Sequence, residues 1–214
     1  AREAASTAAL LSSDGKNTVL RQIAGGISLR REWLMEENSK DLAEARRQGM
    51  PAALYSRLAL SDGTIRDMTE AVHQVTGLND PVGEVVRMWR RPNGLQVGKV
   101  RIPLGVIGII YESRPTVTVD AAILCLKAGN AVILKGGSEA CHSNQALVAV
   151  MHEALRESGL PESLIQLVPP VDREQLYGLL ALDEYIDLII PRGGEELIRA
   201  VVAQRSTKTD EEVA

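Results

Sequence analysis

The spacing of apolar residues divides the chain into a helical first part and an alternating second part. From residue 1 to about Met50, apolar side chains recur every three or four positions among Arg, Glu and Lys, as in an amphipathic helix. Helix-breaking residues interrupt this pattern at 49–51, after which the same spacing returns and ends near Gly77. Residues 1–77 are therefore predicted to be a helical segment in two stretches.

A β-hairpin is predicted over residues 84–100. Apolar and polar residues alternate with a period of two in 84–89 and again in 95–100. Asn93 and Gly94 lie between these two segments. An Asn-Gly pair between alternating segments is a strong signal of a turn that joins two antiparallel strands.

The rest of the sequence predicts four βα units over 103–204. The predicted strands lie at 105–111, 131–135, 164–168 and 187–191. Each leads into an amphipathic helix, at 117–127, 141–158, 172–182 and from about Glu195. Continuously apolar strands that alternate with helices indicate a parallel sheet covered on both faces. We therefore predict an α/β fold with a Rossmann-like parallel sheet, formed within residues 1–204. Residues 205–214 are predicted to be a polar tail, disordered from Ser206 to Ala214.

Composition and charge exclude several functions without changing this fold. The formal net charge is −4 and Lys and Arg form no basic stripe, so nucleic acid is not predicted as a partner. The apolar runs are strand-sized, whereas a membrane-spanning helix needs roughly 20 apolar residues. The sequence shows no secretory signal and no metal-ligand spacing around its two cysteines. We expect a cytoplasmic, reduced protein with no membrane partner and no metal.

Candidate binding residues lie in the βα turns, because ligands of open parallel sheets bind beyond the carboxyl ends of the strands. In the first of these turns, Thr116 or Thr118 could cap the helix that follows, and uncapped amides could face a phosphate. An ordinary strand-to-helix turn explains the same residues equally well. The candidates of this turn are Ser113, Arg114 and Pro115.

Two further turns combine a cation with paired glycines. The second turn places a lysine at a strand end, before glycines that permit close approach of the backbone to a ribose or phosphate. The fourth turn repeats this design with an arginine, which can contact phosphate in a bidentate manner. Taken alone, each also fits a surface glycine turn with a solvated cation. The candidates are Lys135, Gly136, Gly137, Ser138, Arg192, Gly193 and Gly194.

The remaining features are predicted to be structural. The third turn, 169–173, begins with two prolines that donate no amide, and it is expected to be scaffold. Neither G-x-G-x-x-G nor the Walker pattern occurs, so a nucleotide would bind in another mode. Cys125 sits among apolar helical residues and is predicted to be buried and inert. Cys141 lies at a helix start, which could lower its pKa. Its neighbour His142 does not face it on that helix, so no Cys-His pair is expected.

Taken in order, these turns resemble those of one family. The segments 97–115, 127–140 and 182–194 are similar to signature segments of the γ-glutamyl phosphate reductases, which belong to the aldehyde dehydrogenase superfamily. The similarity includes the helical segment 1–77, called the helical opening below, and ends near Val202. It implies the cofactor domain of that superfamily, which lacks G-x-G-x-x-G.

The resemblance implies a reaction and assigns residues to its cofactor. Such enzymes reduce L-glutamyl 5-phosphate with NADPH to glutamate 5-semialdehyde and phosphate in proline biosynthesis, through a cysteine thioester. The cofactor cleft near the reacting carbonyl is assigned to Ser113, Arg114 and Pro115. The adenosine ribose and its phosphate are assigned to Lys135, Gly136, Gly137 and Ser138. The pyrophosphate side is assigned to Arg192, Gly193 and Gly194.

Two departures from the family pattern bear on function. Thr116 stands where the family usually has asparagine, and 206–214 is unrelated to the catalytic domain that follows in the family. No residue of the chain matches the catalytic cysteine. We therefore expect the cofactor-binding portion of such a reductase, with little activity alone.

The resemblance also implies partners. L-glutamyl 5-phosphate would bind through the catalytic domain that the chain lacks. The hairpin 84–100 is a candidate arm for association of identical chains, because exposed strands need a partner or charged edges. A non-catalytic nucleotide-binding module and a scaffold without a ligand are the alternatives that the sequence leaves open.

Overall fold

The computed structural model describes the backbone of residues 1–170 and 173–211, and the side chains of these residues except 173, 174, 177, 179 and 204–211. The helices are α1 (Arg2–Ala9), α2 (Ser13–Leu29), α3 (Arg31–Arg47), α4 (Ala52–Leu58), α5 (Asp62–Gly77), α6 (Pro115–Lys127), α7 (Cys141–Glu157), α8 (Arg173–Leu180) and α9 (Glu195–Glu211). The strands are β1 (Val85–Arg90), β2 (Gln96–Val100), β3 (Val106–Tyr111), β4 (Ala131–Lys135), β5 (Ile165–Leu167) and β6 (Leu188–Arg192).

The helical opening has more breaks than the sequence predicted. The stretch up to Met50 is three helices, because the Ser12 side chain caps α2 at the Gly15 amide and α2 ends at Leu29, just before Arg30. The predicted break at 49–51 is confirmed, and Gly49 adopts φ +69 there. The second stretch consists of α4 and α5, and α5 ends at Gly77 as predicted.

The predicted hairpin is confirmed. Strands β1 and β2 pair antiparallel, with Trp89 opposite Val97. The amide of Gly94 donates to the Arg91 carbonyl over 2.9 Å, and the Arg91 amide donates to the Leu95 carbonyl over 2.8 Å. Gly94 has φ +86, a conformation that glycine adopts without steric cost, and it completes the loop.

Four parallel strands form the main sheet, in the order β5-β4-β3-β6. This confirms the predicted α/β fold with four βα units. The chain moves outward from β3 through β4 to β5 and then returns to the other side of β3 with β6. Between β3 and β6 the strand order reverses, and ligands of such sheets bind beyond the carboxyl ends of the strands at that point.

Helices cover both faces of this sheet. Successive residues of a strand point to opposite faces. Ile109 therefore belongs to the large core shared with α6, α7 and the helical opening, whereas Ile110 packs with Leu180 of α8 and Val201 of α9. All six residues of β3 are buried, as expected for a central parallel strand.

The end of the chain differs from the prediction of a disordered tail. Helix α9 continues through Glu211, and residues 205–211 contain neither glycine nor proline to end it. Residues 212–214 lie outside the described residues. Among the helices that the structure describes, none is long and apolar enough to cross a membrane.

Candidate functional site

The three candidate turns lie side by side at one edge of the sheet. Strands β4, β3 and β6 are neighbours and run parallel, so their carboxyl ends meet at the same edge. Lys135 is the register partner of Ile110, and Arg192 is the partner of Tyr111. All ten residues predicted from the sequence therefore lie at or directly after the ends of three adjacent strands.

A carboxylate from the second turn holds the first turn in place. Among the described residues, Ser113 is the one non-glycine with a left-handed backbone, at φ +39. Its amide and its hydroxyl both donate to the Oε1 atom of Glu139, over 2.7 and 2.6 Å. Such a backbone conformation costs about 1–3 kcal/mol and persists where surrounding contacts enforce it. Glu139 was not predicted as a site residue, although it directly follows Ser138.

The N-terminus of α6, where the helix begins with Pro115, has no side-chain cap within the described residues. The prediction that Thr116 or Thr118 caps it was wrong, and the Thr118 hydroxyl instead donates inward to the Asn144 Oδ1 atom over 2.7 Å. Uncapped amides at a helix N-terminus favour binding of an anion.

Behind this turn, a buried chain of polar groups connects β3, α6 and α7. Because Thr118 donates its hydroxyl proton to Asn144, the Tyr111 hydroxyl must donate to Thr118, over 2.7 Å. Burial raises the pKa of Tyr111 to about 12 and outweighs the opposite effect of Thr118, so Tyr111 keeps its proton at neutral pH. These hydrogen bonds hold the end of β3 against the first turns of α6 and α7.

The second turn is tightly built. Lys135 is half-buried, and its ammonium donates to the Gly136 carbonyl over 3.0 Å. Gly136 and Gly137 form one wall of a narrow crevice, and Pro169 and Pro170 line it too. The diproline, predicted to be scaffold, thus borders the predicted cofactor residues. The rest of that prediction falls partly on Val171 and Asp172, which lie outside the described residues.

The N-terminus of α7 is already occupied by a carboxylate of the helical opening. Asp41 of α3 accepts the amides of His142 and Ser143 over 3.1 and 2.8 Å, and the Ser143 hydroxyl over 2.5 Å. Asn38 also donates to that hydroxyl, over 2.9 Å. An anionic ligand would compete with Asp41 there, so the open helix terminus beside the second turn is that of α6. No local sequence signal marked Asp41, which lies about a hundred residues before its partners.

A carboxylate of the first turn contacts the fourth turn. Glu112 accepts the Gly194 amide over 2.9 Å and lies against Gly193. The Arg192 side chain instead reaches the groove between α5 and α6, where it lies near Asp120. Glu112 was missed by sequence reasoning even though it directly precedes Ser113.

Comparison with known proteins identifies the family. The model of the aldehyde dehydrogenase family matches residues 1–213. This chain belongs to the aldehyde dehydrogenase family. Membership in it implies a nicotinamide cofactor. The family's cofactor domain thus accounts for a parallel sheet with candidate turns but without G-x-G-x-x-G.

Within the aldehyde dehydrogenase family, the resemblance to γ-glutamyl phosphate reductases is confirmed. A gamma-glutamyl phosphate reductase of Desulfatibacillum aliphaticivorans is 54% identical over 206 residues, which are 96% of this chain and 49% of the relative. The crystal structure of such a reductase from Thermotoga maritima superposes with a TM-score of 0.91 at 44% identity, covering 95% of this chain and 49% of that one. The Saccharomyces cerevisiae structure gives 0.87 at 32% identity, covering 94% and 51%. The chain spans about half the length of the curated relatives it matches.

The two cysteines of this aldehyde dehydrogenase family member are poor nucleophiles. Burial raises the pKa of Cys125 to about 12, which confirms the prediction of a buried, inert thiol. Burial and the nearby Asp41 carboxylate raise the pKa of Cys141, so the helix start does not activate it. Among the described residues, no group of three or more His, Cys, Asp or Glu side chains could hold a metal ion.

Proposed function

We propose that this chain is the cofactor-binding portion of an NADPH-dependent reductase that converts L-glutamyl 5-phosphate to L-glutamate 5-semialdehyde and phosphate in proline biosynthesis. One observation carries the proposal. The turns that resemble those of the γ-glutamyl phosphate reductases follow three neighbouring strands, at the point where the sheet order reverses. The relative of that name from Desulfatibacillum aliphaticivorans is 54% identical to the chain over the 206 matched residues.

The groups at these turns suit an anionic dinucleotide. The N-terminus of α6, which has no side-chain cap, and the exposed Arg114 side chain suit a phosphate. We assign the adenosine ribose and its phosphate to Lys135, Gly136, Gly137 and Ser138, and the pyrophosphate side to Arg192, Gly193 and Gly194. Ser113, Arg114 and Pro115 would line the cleft near the reacting carbonyl. When bound, NADPH supplies the hydride.

The covalent step of the proposed reaction lies outside this chain. A thioester mechanism needs a reactive thiolate, and the raised pKa values of Cys125 and Cys141 argue against either as the nucleophile. We therefore propose that L-glutamyl 5-phosphate is processed together with the other half of the longer protein, in the cytoplasm. The 214-residue chain alone is expected to turn over little substrate.

The cofactor proposal is tested by titrating the folded chain with NADPH while cofactor fluorescence and thermal stability are followed together. Saturable binding and a rise in Tm are expected, with weaker effects of NADH. Lys135→Met should weaken NADPH binding about tenfold, because one charge-assisted contact is lost. Lys99→Met, on the exposed hairpin, is the matched control. The assignment would be refuted if the folded chain did not bind NADPH, or if Lys135→Met and Lys99→Met lost the same amount of NADPH affinity.

We also propose that the hairpin β1–β2 associates with a second copy of the chain. It presents large apolar side chains to solvent, with Met88 63% exposed, and a two-stranded ribbon is only marginally stable alone. Met88→Glu should therefore shift the chain from dimer or higher oligomer to monomer in sedimentation equilibrium. Ser39→Glu adds the same charge at an exposed position of α3 and should leave the molecular mass of the assembly unchanged. A monomeric parent chain would contradict the proposal.

A further inference from the structure

An open groove beside the candidate cofactor turns remains unassigned. It lies between α5, α6 and the exposed face of β6, and it has about 430 Å³ of room. Its walls are mostly apolar and include Val75, Leu124 and Ile190. Asp120 and Arg192 are the charged side chains of the lining. Concave apolar sites with few convergent polar groups are the usual form of small-molecule sites.

Asp120 and Arg192 both line the groove but form no hydrogen bond or ion pair with each other. Within the described part of the chain, neither side chain is joined to another by a hydrogen bond or an ion pair, although the positive charge of Arg192 reaches Asp120 through space. Burial raises the pKa of Asp120, and Arg192 offsets only part of this effect. A half-buried carboxylate without a partner destabilises the folded state, and such groups concentrate at functional sites.

We propose that this groove binds the α-amino acid end of the substrate, with Asp120 accepting its ammonium group and Arg192 donating to its carboxylate. The inference rests on the proposed function and names the subsite for one end of that substrate. An α-amino acid carries an ammonium group and a carboxylate on one carbon atom, and the groove offers it a carboxylate and a guanidinium group. The apolar walls would pack against the methylene groups and reduce the water around both contacts, which strengthens them.

The position of the groove fits a substrate that meets the cofactor. Asp120 lies in α6, five residues after Pro115, and Arg192 directly precedes Gly193. The groove therefore begins where the candidate cofactor turns end. A guanidinium group has five N–H donors, so Arg192 can contact both an amino-acid carboxylate and a cofactor phosphate at this boundary.

The test is a titration of the isotope-labelled 214-residue chain with L-glutamate, followed by backbone amide chemical shifts. Saturable shifts are expected at Asp120, Ile190 and Arg192, in the millimolar range that two such contacts support. Glutarate lacks the ammonium group and should bind at least about tenfold more weakly. Equal binding of L-glutamate and glutarate would overturn the proposal.

Asp120→Asn should weaken L-glutamate binding by about tenfold or more, whereas Asp67→Asn on exposed α5 should not. Retained NADPH binding by Asp120→Asn confirms that this variant is folded. NADPH binding without specific L-glutamate shifts would overturn the subsite and leave the cofactor proposal standing. Specific L-glutamate shifts without NADPH binding would support the subsite and refute the cofactor proposal. Groove shifts that depend only on protein concentration would identify a protein contact and overturn the subsite.

Discussion

Replacement of Asp80 by alanine is expected to lower the free energy of unfolding by about 3–5 kcal/mol, because it leaves a buried ammonium group without its counter-charge. Lys16 is fully buried, and its Nζ atom donates to both carboxylate oxygens of Asp80, over 3.0 and 2.9 Å. The Val82 amide and the Ser13 hydroxyl donate to the same carboxylate. Asp80 lies between α5 and β1, so this contact fixes the base of the hairpin on α2.

Lys16→Met provides the matched variant. Methionine fills a similar volume without a charge, and replacing one side of a buried pair by an apolar residue removes the desolvation cost that the alanine variant keeps. The Asp80 carboxylate, 12% exposed, still has Ser13 and Val82 as partners. Urea denaturation at neutral pH should therefore show a clearly smaller loss for Lys16→Met. Equal losses in the two variants would show that the buried ammonium group is not the source of the effect.

The contribution of the Asp80 carboxylate to the free energy of unfolding should also depend on pH. Burial raises the pKa of Asp80, but the hydrogen bonds from Lys16, Val82 and Ser13 outweigh it and leave the pKa below the ordinary 3.8. A folded-state pKa that is depressed stabilises the protein above the unfolded-state pKa, and this contribution is lost as the pH falls through the folded-state value. The stability difference between parent and Asp80→Ala should therefore persist at pH 7 and narrow below about pH 4.

The sequence predicted the elements because their signals are local. The runs of apolar residues in β3 and β4, and the Asn93-Gly94 pair of the hairpin, can be interpreted without knowing what they contact. The positions of the candidate turns follow from these elements, because carboxyl ends of parallel strands share one edge. Prediction failed where only a distant partner gives a residue its role. Lys16 and Asp80 are 64 residues apart, and each looks like an ordinary surface charge in the sequence.

The same limit explains the errors within the site. Thr118 was predicted to cap α6 because its position near the helix start is favourable, but its hydroxyl is buried against Tyr111 and Asn144. The left-handed backbone of Ser113 depends on Glu139 in another turn. Prediction from sequence considers hydrogen-bond partners that are close along the chain. In a packed interior, the nearest acceptor in space often comes from a residue far along the chain.

Gly136→Ala is expected to destabilise the protein by about 1–3 kcal/mol, because the added methyl group overfills a packed interior. A Cβ atom at Gly136 would lie 2.2 Å from Asn144 Nδ2 and 3.1 Å from the Tyr111 ring. Asn144 is buried and receives the Thr118 hydrogen bond, so its amide cannot move aside without breaking that bond. The turn that carries Lys135 must shift instead, and NADPH affinity should fall by about tenfold or more.

Alanine substitutions at two other glycines of the site should separate a loss of protein stability from a loss of NADPH affinity. A Cβ atom at Gly194 meets no described atom within 4 Å, so Gly194→Ala should retain the parent Tm. The atoms nearest to a Cβ atom at Gly137 belong to the Glu139 carboxylate, which can rotate away but would then release Ser113. Gly137→Ala should therefore weaken NADPH binding with a small change in Tm. Thermal unfolding and NADPH titration of all three variants test this order. If Gly136→Ala were as stable as Gly194→Ala, the buried Tyr111–Thr118–Asn144 chain would not be what holds the second turn in position.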